Sequence, residues 1–151
     1  MPQKVLFVCT GNTCRSPMAE GLLKKMAGEK GWNLTVSSAG IAAFPGVPAS
    51  PEAVDAAREK GFSLEAHQSQ PLSKPLVLES DQILTMTAKH KEMIVKKMPA
   101  LASKVSMLSE IAGEGEKDIE DPAGQSLDVY REVLNQIESL LNKAAGRLAQ
   151  A

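Results

Sequence analysis

An apolar run over residues 5–8 stands almost at the start of the chain, closed by Cys9 and followed by Thr-Gly-Asn. A short continuous run of this kind suits a parallel strand buried on both faces. Beyond it, Met18, Leu22, Leu23 and Met26 recur at helical spacing, with Glu20, Lys24 and Lys25 between them. That spacing predicts an amphipathic helix. The alternation then continues. Residues 34–38 read as a second strand, 40–51 as a Gly/Pro-rich loop and 51–60 as a short helix closed by Gly61. Residues 82–86 read as a third strand, 89–98 as a helix stopped by Pro99, and 104–108 as a fourth strand. A long loop over 110–124 precedes a terminal helix over 127–148. Strands alternating with helices predict an α/β fold, a parallel sheet with helices on both faces. The pattern holds no repeat and no low-complexity linker. A length of 151 residues suits one domain over 1–151 whose core needs neither metal nor disulfide.

The junction after the first strand carries the chemistry. Cys9 and Arg15 are separated by five residues, Thr10, Gly11, Asn12, Thr13 and Cys14, and Ser16-Pro17 follows. Gly11 and Asn12 enter left-handed backbone conformations readily, so the loop is able to curl and turn successive N–H groups inward. Ser16 reads as an N-cap and Pro17 as the first helical residue. An anion in the loop then meets inward N–H groups and the positive end of a helix dipole. The planar fork of Arg15 grips two of its oxygens. The same field favours the thiolate of Cys9, the reactive form. In open α/β sheets ligands bind beyond the carboxyl ends of strands, where Cys9 falls. A buried structural thiol is the alternative reading of Cys9, and an ordinary surface cation that of Arg15.

C-x5-R-S-P after an apolar strand resembles the low-molecular-weight protein tyrosine phosphatases. The likeness extends through Ser37-Ser38-Ala39-Gly40, residues 81–87 and Asp121-Pro122-Ala123-Gly124, nearly the whole chain. Cys-Thr-Gly-Asn-Thr-Cys-Arg-Ser-Pro and Met86-Thr87-Ala88-Lys89-His90-Lys91 look most like the bacterial protein-arginine phosphatase branch. The resemblance implies a four-stranded sheet in the order 2-1-3-4, and hydrolysis through a phosphocysteine at Cys9. It also implies binding of the phosphoryl group by residues 10–16 and a general acid at Asp121. Asn12, Ser38 and His67 are expected to support the loop by hydrogen bonds. On local sequence alone, Asp118, Glu120 and Asp121 read as a solvated acidic loop with an Asp-Pro turn. The resemblance reverses that for Asp121. Cys14 is either filler or a redox partner of Cys9, as in similar enzymes.

Charge and composition narrow the partners. A net charge of −1 gives no footprint for nucleic acid, and no polybasic tract points to a membrane surface. With no apolar stretch near membrane length and no leader pattern, the expected location is cytoplasmic. The expected partners are a phosphorylated protein and inorganic phosphate or oxyanion inhibitors. No spaced His/Cys ligand set points to a metal, and no cofactor is implied. An arsenate reductase on the same loop needs a further cysteine pair, and none follows Cys14. A G-x-G-x-x-G dinucleotide fingerprint is missing. A non-catalytic phosphate-binding module remains if Asp121 lies far from Cys9.

Substrate choice turns on five aromatic residues and on Thr13. Phe7 and Phe62 read as core, Trp32 lies beside a turn, Tyr130 lies on the last helix, and Phe44 alone is in a loop able to wall the pocket. Tyrosine-selective relatives flank the phenol with aromatics after Asp-Pro, where this chain has Ala123. They carry an aliphatic residue where Thr13 stands, whereas the arginine phosphatases resemble this chain in having threonine. Arginine is therefore placed ahead of tyrosine, unless Thr13 merely stabilises the loop. His90, Lys89, Lys91, Lys96 and Lys97 are expected to be solvated.

Overall fold

The computed structural model describes residues 2–148, which form the expected alternation. Strands β1 (Gln3–Cys9) and β2 (Leu34–Gly40) flank helix α1 (Arg15–Lys30), and α2 (Pro51–Glu59) and α3 (Lys74–Glu79) follow. Strand β3 (Gln82–Thr85), α4 (Ala88–Lys97), a 3-10 turn over Pro99–Lys104, β4 (Val105–Met107), α5 (Leu108–Ile111) and α6 (Leu127–Leu148) complete the order. All strand pairs are parallel, and the sheet order is β2-β1-β3-β4, as the resemblance implied. Sequence periodicity missed α3, the 3-10 turn and α5, each of them too short for a helical stripe to declare itself.

Alternation along β1 divides the core. Val5, Phe7 and Cys9 face a cluster built with Met18, Leu22 and Leu23 of α1 and Val133, Leu134, Ile137 and Leu141 of α6. Leu6 and Val8 face the other side, against Val77 of α3 and Ile94 of α4. A strand buried on both faces explains its unbroken apolar run. Phe7 is fully buried and Phe62 packs at the core margin, close to expectation.

Two corrections concern positions near the loop. Helix α1 begins at Arg15, with Cys14 in the capping position and no side-chain cap, so Ser16 is not the N-cap. Its hydroxyl is already engaged by Cys9 and Asn12. Pro17 sits two residues into the first turn, where N–H groups lack intrahelical partners anyway. The second correction is Phe44, which is 77% exposed and is not among the residues that line the Cys9 cleft.

Gly40 ends β2 directly against the loop. A Cβ there would lie 2.5 Å from the Thr10 carbonyl oxygen and 2.9 Å from the Asn12 nitrogen, both backbone atoms. The loop cannot retreat, because Ala42 N–H donates to that same Thr10 oxygen. Gly40→Ala is therefore expected to cost roughly 1–3 kcal/mol of overpacking. Chemical denaturation measures the loss, and phosphate affinity should fall with it.

Candidate active site

Asn12 organises the loop. Its φ of 57° is the single left-handed non-glycine conformation among the described residues, and asparagine tolerates that region better than bulkier residues. The side chain is fully buried. Its Oδ1 accepts from the backbone N–H of Gln70 at 2.9 Å, which fixes the amide orientation. Both Nδ2 protons are then spent, on Ser16 Oγ at 2.8 Å and Ser38 Oγ at 2.9 Å. Ser38 in turn donates to Glu20 Oε1 at 2.5 Å, since a carboxylate only accepts. Ser16 Oγ, which accepts from Asn12, lies 2.9 Å from Cys9 Sγ, within reach to donate its own proton to a thiolate there. His67 Nε2 donates to the Asn12 carbonyl at 2.8 Å. The structure brings Asn12, Ser38 and His67 together, with Ser16 joined to them through the Asn12 amide. Glu20 and Gln70 complete the network, and sequence reading missed both because it took Glu20 as a polar helix position.

Cys9 and Arg15 lie on one cleft of about 210 Å³ with Thr10, Gly11, Thr13, Cys14, Asp121 and Ala123. The Arg15 side chain is only 6% exposed. Among the described residues it makes one hydrogen bond, Nη1 to the Ile119 carbonyl at 2.9 Å, and one ion pair, Nη2 to Asp121 Oδ2 at 3.6 Å. A guanidinium carries five N–H donors, so others remain for an anion in the cleft. A cation buried this deeply is costly without such partners.

The three loop carboxylates separate. Asp118 Oδ1 accepts from Ala88 N–H at 2.9 Å, which ties the loop to the first turn of α4. Ile119 N–H donates to the Met86 carbonyl at 2.9 Å. Glu120 faces Gln125 at 3.4 Å. Asp121 alone turns to Arg15, its other oxygen taking the Ala123 N–H at 3.1 Å. The acidic group is therefore not one cluster, and only Asp121 lines the cleft.

Cys14 is buried with Sγ 3.3 Å from Tyr130 Oη and 3.5 Å from Ser50 Oγ. Burial, and then the hydrogen bond with Cys14, push the Tyr130 phenol up to about 12, so it keeps its proton at neutral pH. Thr13 Oγ1 stands at the cleft, 3.7 Å from Cys14 Sγ. Among the described residues no cluster of His, Cys, Asp and Glu is arranged to hold a metal.

His90 overturns its expectation. It is 6% exposed rather than solvated, with Nε2 2.9 Å from Thr10 Oγ1. Its position on a lysine-rich stretch disguised the face that packs on the sheet beside Ile94. Lys91 is half-buried and paired with Glu110 at 2.8 Å, again unlike the solvated position expected. Burial, then the nearby Arg15 charge, lower His90 from 6.5 to about 4. Between these values the unfolded chain binds more protons, so stability rises with pH across the window and is lost as pH falls through it. Melting temperature from pH 6.5 towards 4 should fall more steeply for the wild type than for His90→Gln.

The model of the low molecular weight phosphotyrosine protein phosphatase family matches residues 4–151. The chain is 42% identical over 144 residues to the protein-arginine-phosphatase of Bacillus subtilis, with 95% of each chain covered. It is 38% identical over 151 residues to the low molecular weight protein-tyrosine-phosphatase Wzb of Salmonella typhi, covering 95% of that protein. Among solved structures it matches a cysteine-to-serine mutant of the YwlE arginine phosphatase with a phosphorylated active-site serine. The TM-score is 0.94 at 40% identity, over 98% of this chain and 97% of that one. By this combination of fold, loop and sequence, the chain belongs to the low molecular weight phosphotyrosine protein phosphatase family.

Proposed function

We propose that the chain is a cysteine-dependent protein phosphatase that acts through a phosphocysteine at Cys9 and prefers phosphoarginine to phosphotyrosine. The observation that carries the reading is the shared cleft of Cys9, Arg15 and Asp121. The Cys9 thiolate attacks phosphorus in line with the leaving group. The N–H groups of residues 10–16 and the Arg15 fork hold the equatorial oxygens and stabilise their developing charge. As the phosphorus–nitrogen bond breaks, Asp121 gives its proton to the departing guanidine. A water then attacks the phosphocysteine and loses a proton to Asp121. The phosphorus–sulfur bond breaks, the thiolate accepts the Ser16 hydroxyl proton as a hydrogen bond, and inorganic phosphate leaves.

Two features support arginine. None of the residues lining the cleft is aromatic, so a phenol ring forgoes offset stacking worth about 0.5–1.5 kcal/mol per pair. The Thr13 hydroxyl and the Asp121 carboxyl group also suit a polar guanidine stem better than a ring. A cytoplasmic location follows from the same reading, because the nucleophile must stay a reduced thiol. In keeping with it, no helix among the described residues is long and apolar enough to cross a membrane.

Initial rates on matched phosphoarginine and phosphotyrosine peptides test the preference, which should favour phosphoarginine. Faster turnover of phosphotyrosine would reassign Thr13 to loop structure. Cys9→Ser should abolish turnover yet still bind inorganic phosphate, and Asp121→Asn should lower kcat by about 10²- to 10⁴-fold. An active Cys9→Ser would refute the mechanism.

A further inference from the structure

His90 lies on α4, outside the loop, yet its ring reaches the loop. Among the described residues its Nε2 has Thr10 Oγ1 as partner at 2.9 Å, and Nδ1 is buried without any. The two ring nitrogens are therefore unequal. A proton on Nδ1 would leave a buried N–H donor orphaned, one of the rarer and costlier states in a folded protein. A proton on Nε2 instead gives Thr10 Oγ1 a donor and leaves Nδ1 as a bare acceptor. The ring also stays neutral near neutral pH, held there by burial and by Arg15 against the pull of Asp118 and Asp121. A neutral ring has one proton to place.

The consequence falls on Thr10. Its backbone carbonyl is occupied by the Ala42 N–H, and Thr10 is exposed at the rim of the cleft that holds Cys9, Arg15 and Asp121. With Oγ1 accepting from His90, the hydroxyl proton is free for another acceptor, and Thr10 lines the cleft. We infer that His90 is a positioning residue that makes the Thr10 hydroxyl a hydrogen-bond donor to the phosphorylated peptide bound over Cys9. The inference rests on the phosphatase reading of the cleft. It adds a polar contact from outside the loop's own backbone, delivered by a helix that follows β3.

The backbone of α4 makes this placement firm. His90 N–H donates to Thr87 Oγ1 at 3.2 Å, and Ala88 N–H donates to Asp118 at 2.9 Å. The ring is thus anchored at the same turn that secures the acid loop. Side-chain substitutions at His90 leave both of those backbone bonds in place.

The test begins with 15N NMR of the imidazole rings in the free protein near neutral pH. The His90 ring should carry its proton on Nε2, and a proton on Nδ1 would overturn the assignment. Next, kcat/KM on a phosphoarginine peptide is measured for His90→Leu, Thr10→Val and the double variant. Each single change should lower it about three- to tenfold, the scale of one neutral hydrogen bond. The double variant should be no worse than the poorer single one, because both remove one contact. His90→Gln keeps a donor near the same place and should recover most of the loss. Losses that multiply in the double variant, or no loss in Thr10→Val, would contradict the inference. The tautomer is read without turnover. A wild type inactive on both phosphopeptides would therefore count against the phosphatase reading alone.

Discussion

The amide of Asn12 is the point on which the site depends. One residue in a left-handed conformation turns the loop, and its side chain then spends every polar atom on neighbours that fix the site. The Gln70 N–H at one end and the Glu20 carboxylate at the other leave the Ser38 hydroxyl a single direction to donate. Ser16 is left within reach of Cys9. A sulfur held beside a hydroxyl in a preformed loop needs little reorganisation when charge develops.

The second constraint is the tie between the loop and distant sequence. Arg15 reaches across to the carbonyl of Ile119, and Ile119 and Asp118 hold the acid segment to Met86 and Ala88. The same buried guanidinium that faces the cleft also positions the backbone two residues before Asp121. Arg15 and Asp121, which both line the cleft, are therefore mechanically linked. Helix α4 joins this arrangement at its first turn, through Ala88 and through the ring of His90.

Much of this was legible in the sequence. The unbroken apolar run of residues 5–8 announced a strand buried on both sides; of the Gly-Asn pair after it, Asn12 makes the left-handed turn and Gly11 does not. The terminal helix was predicted with its observed start at Leu127. Local signals failed where the deciding partner was remote. His90 sits among lysines, and only the packing of α4 against the sheet shows that its ring is buried. Ser16 looks like a cap until Cys9 and Asn12 claim its hydroxyl. Asp118, Glu120 and Asp121 look like one acidic cluster until Ala88, Gln125 and Arg15 draw them apart. The strand order came from family resemblance, because periodicity carries no information on which strands are neighbours.

Covalent phosphorylation of Cys9 in this loop is the step on which the proposed mechanism stands. Rapid acid quench of Asp121→Asn during turnover of a phosphoarginine peptide, followed by mass spectrometry, tests it directly. The account predicts one phosphoryl group on the peptide that contains Cys9, formed and lost at rates matching turnover. Turnover with the phosphoryl group on another residue, or with no covalent species when its accumulation is kinetically required, would contradict it.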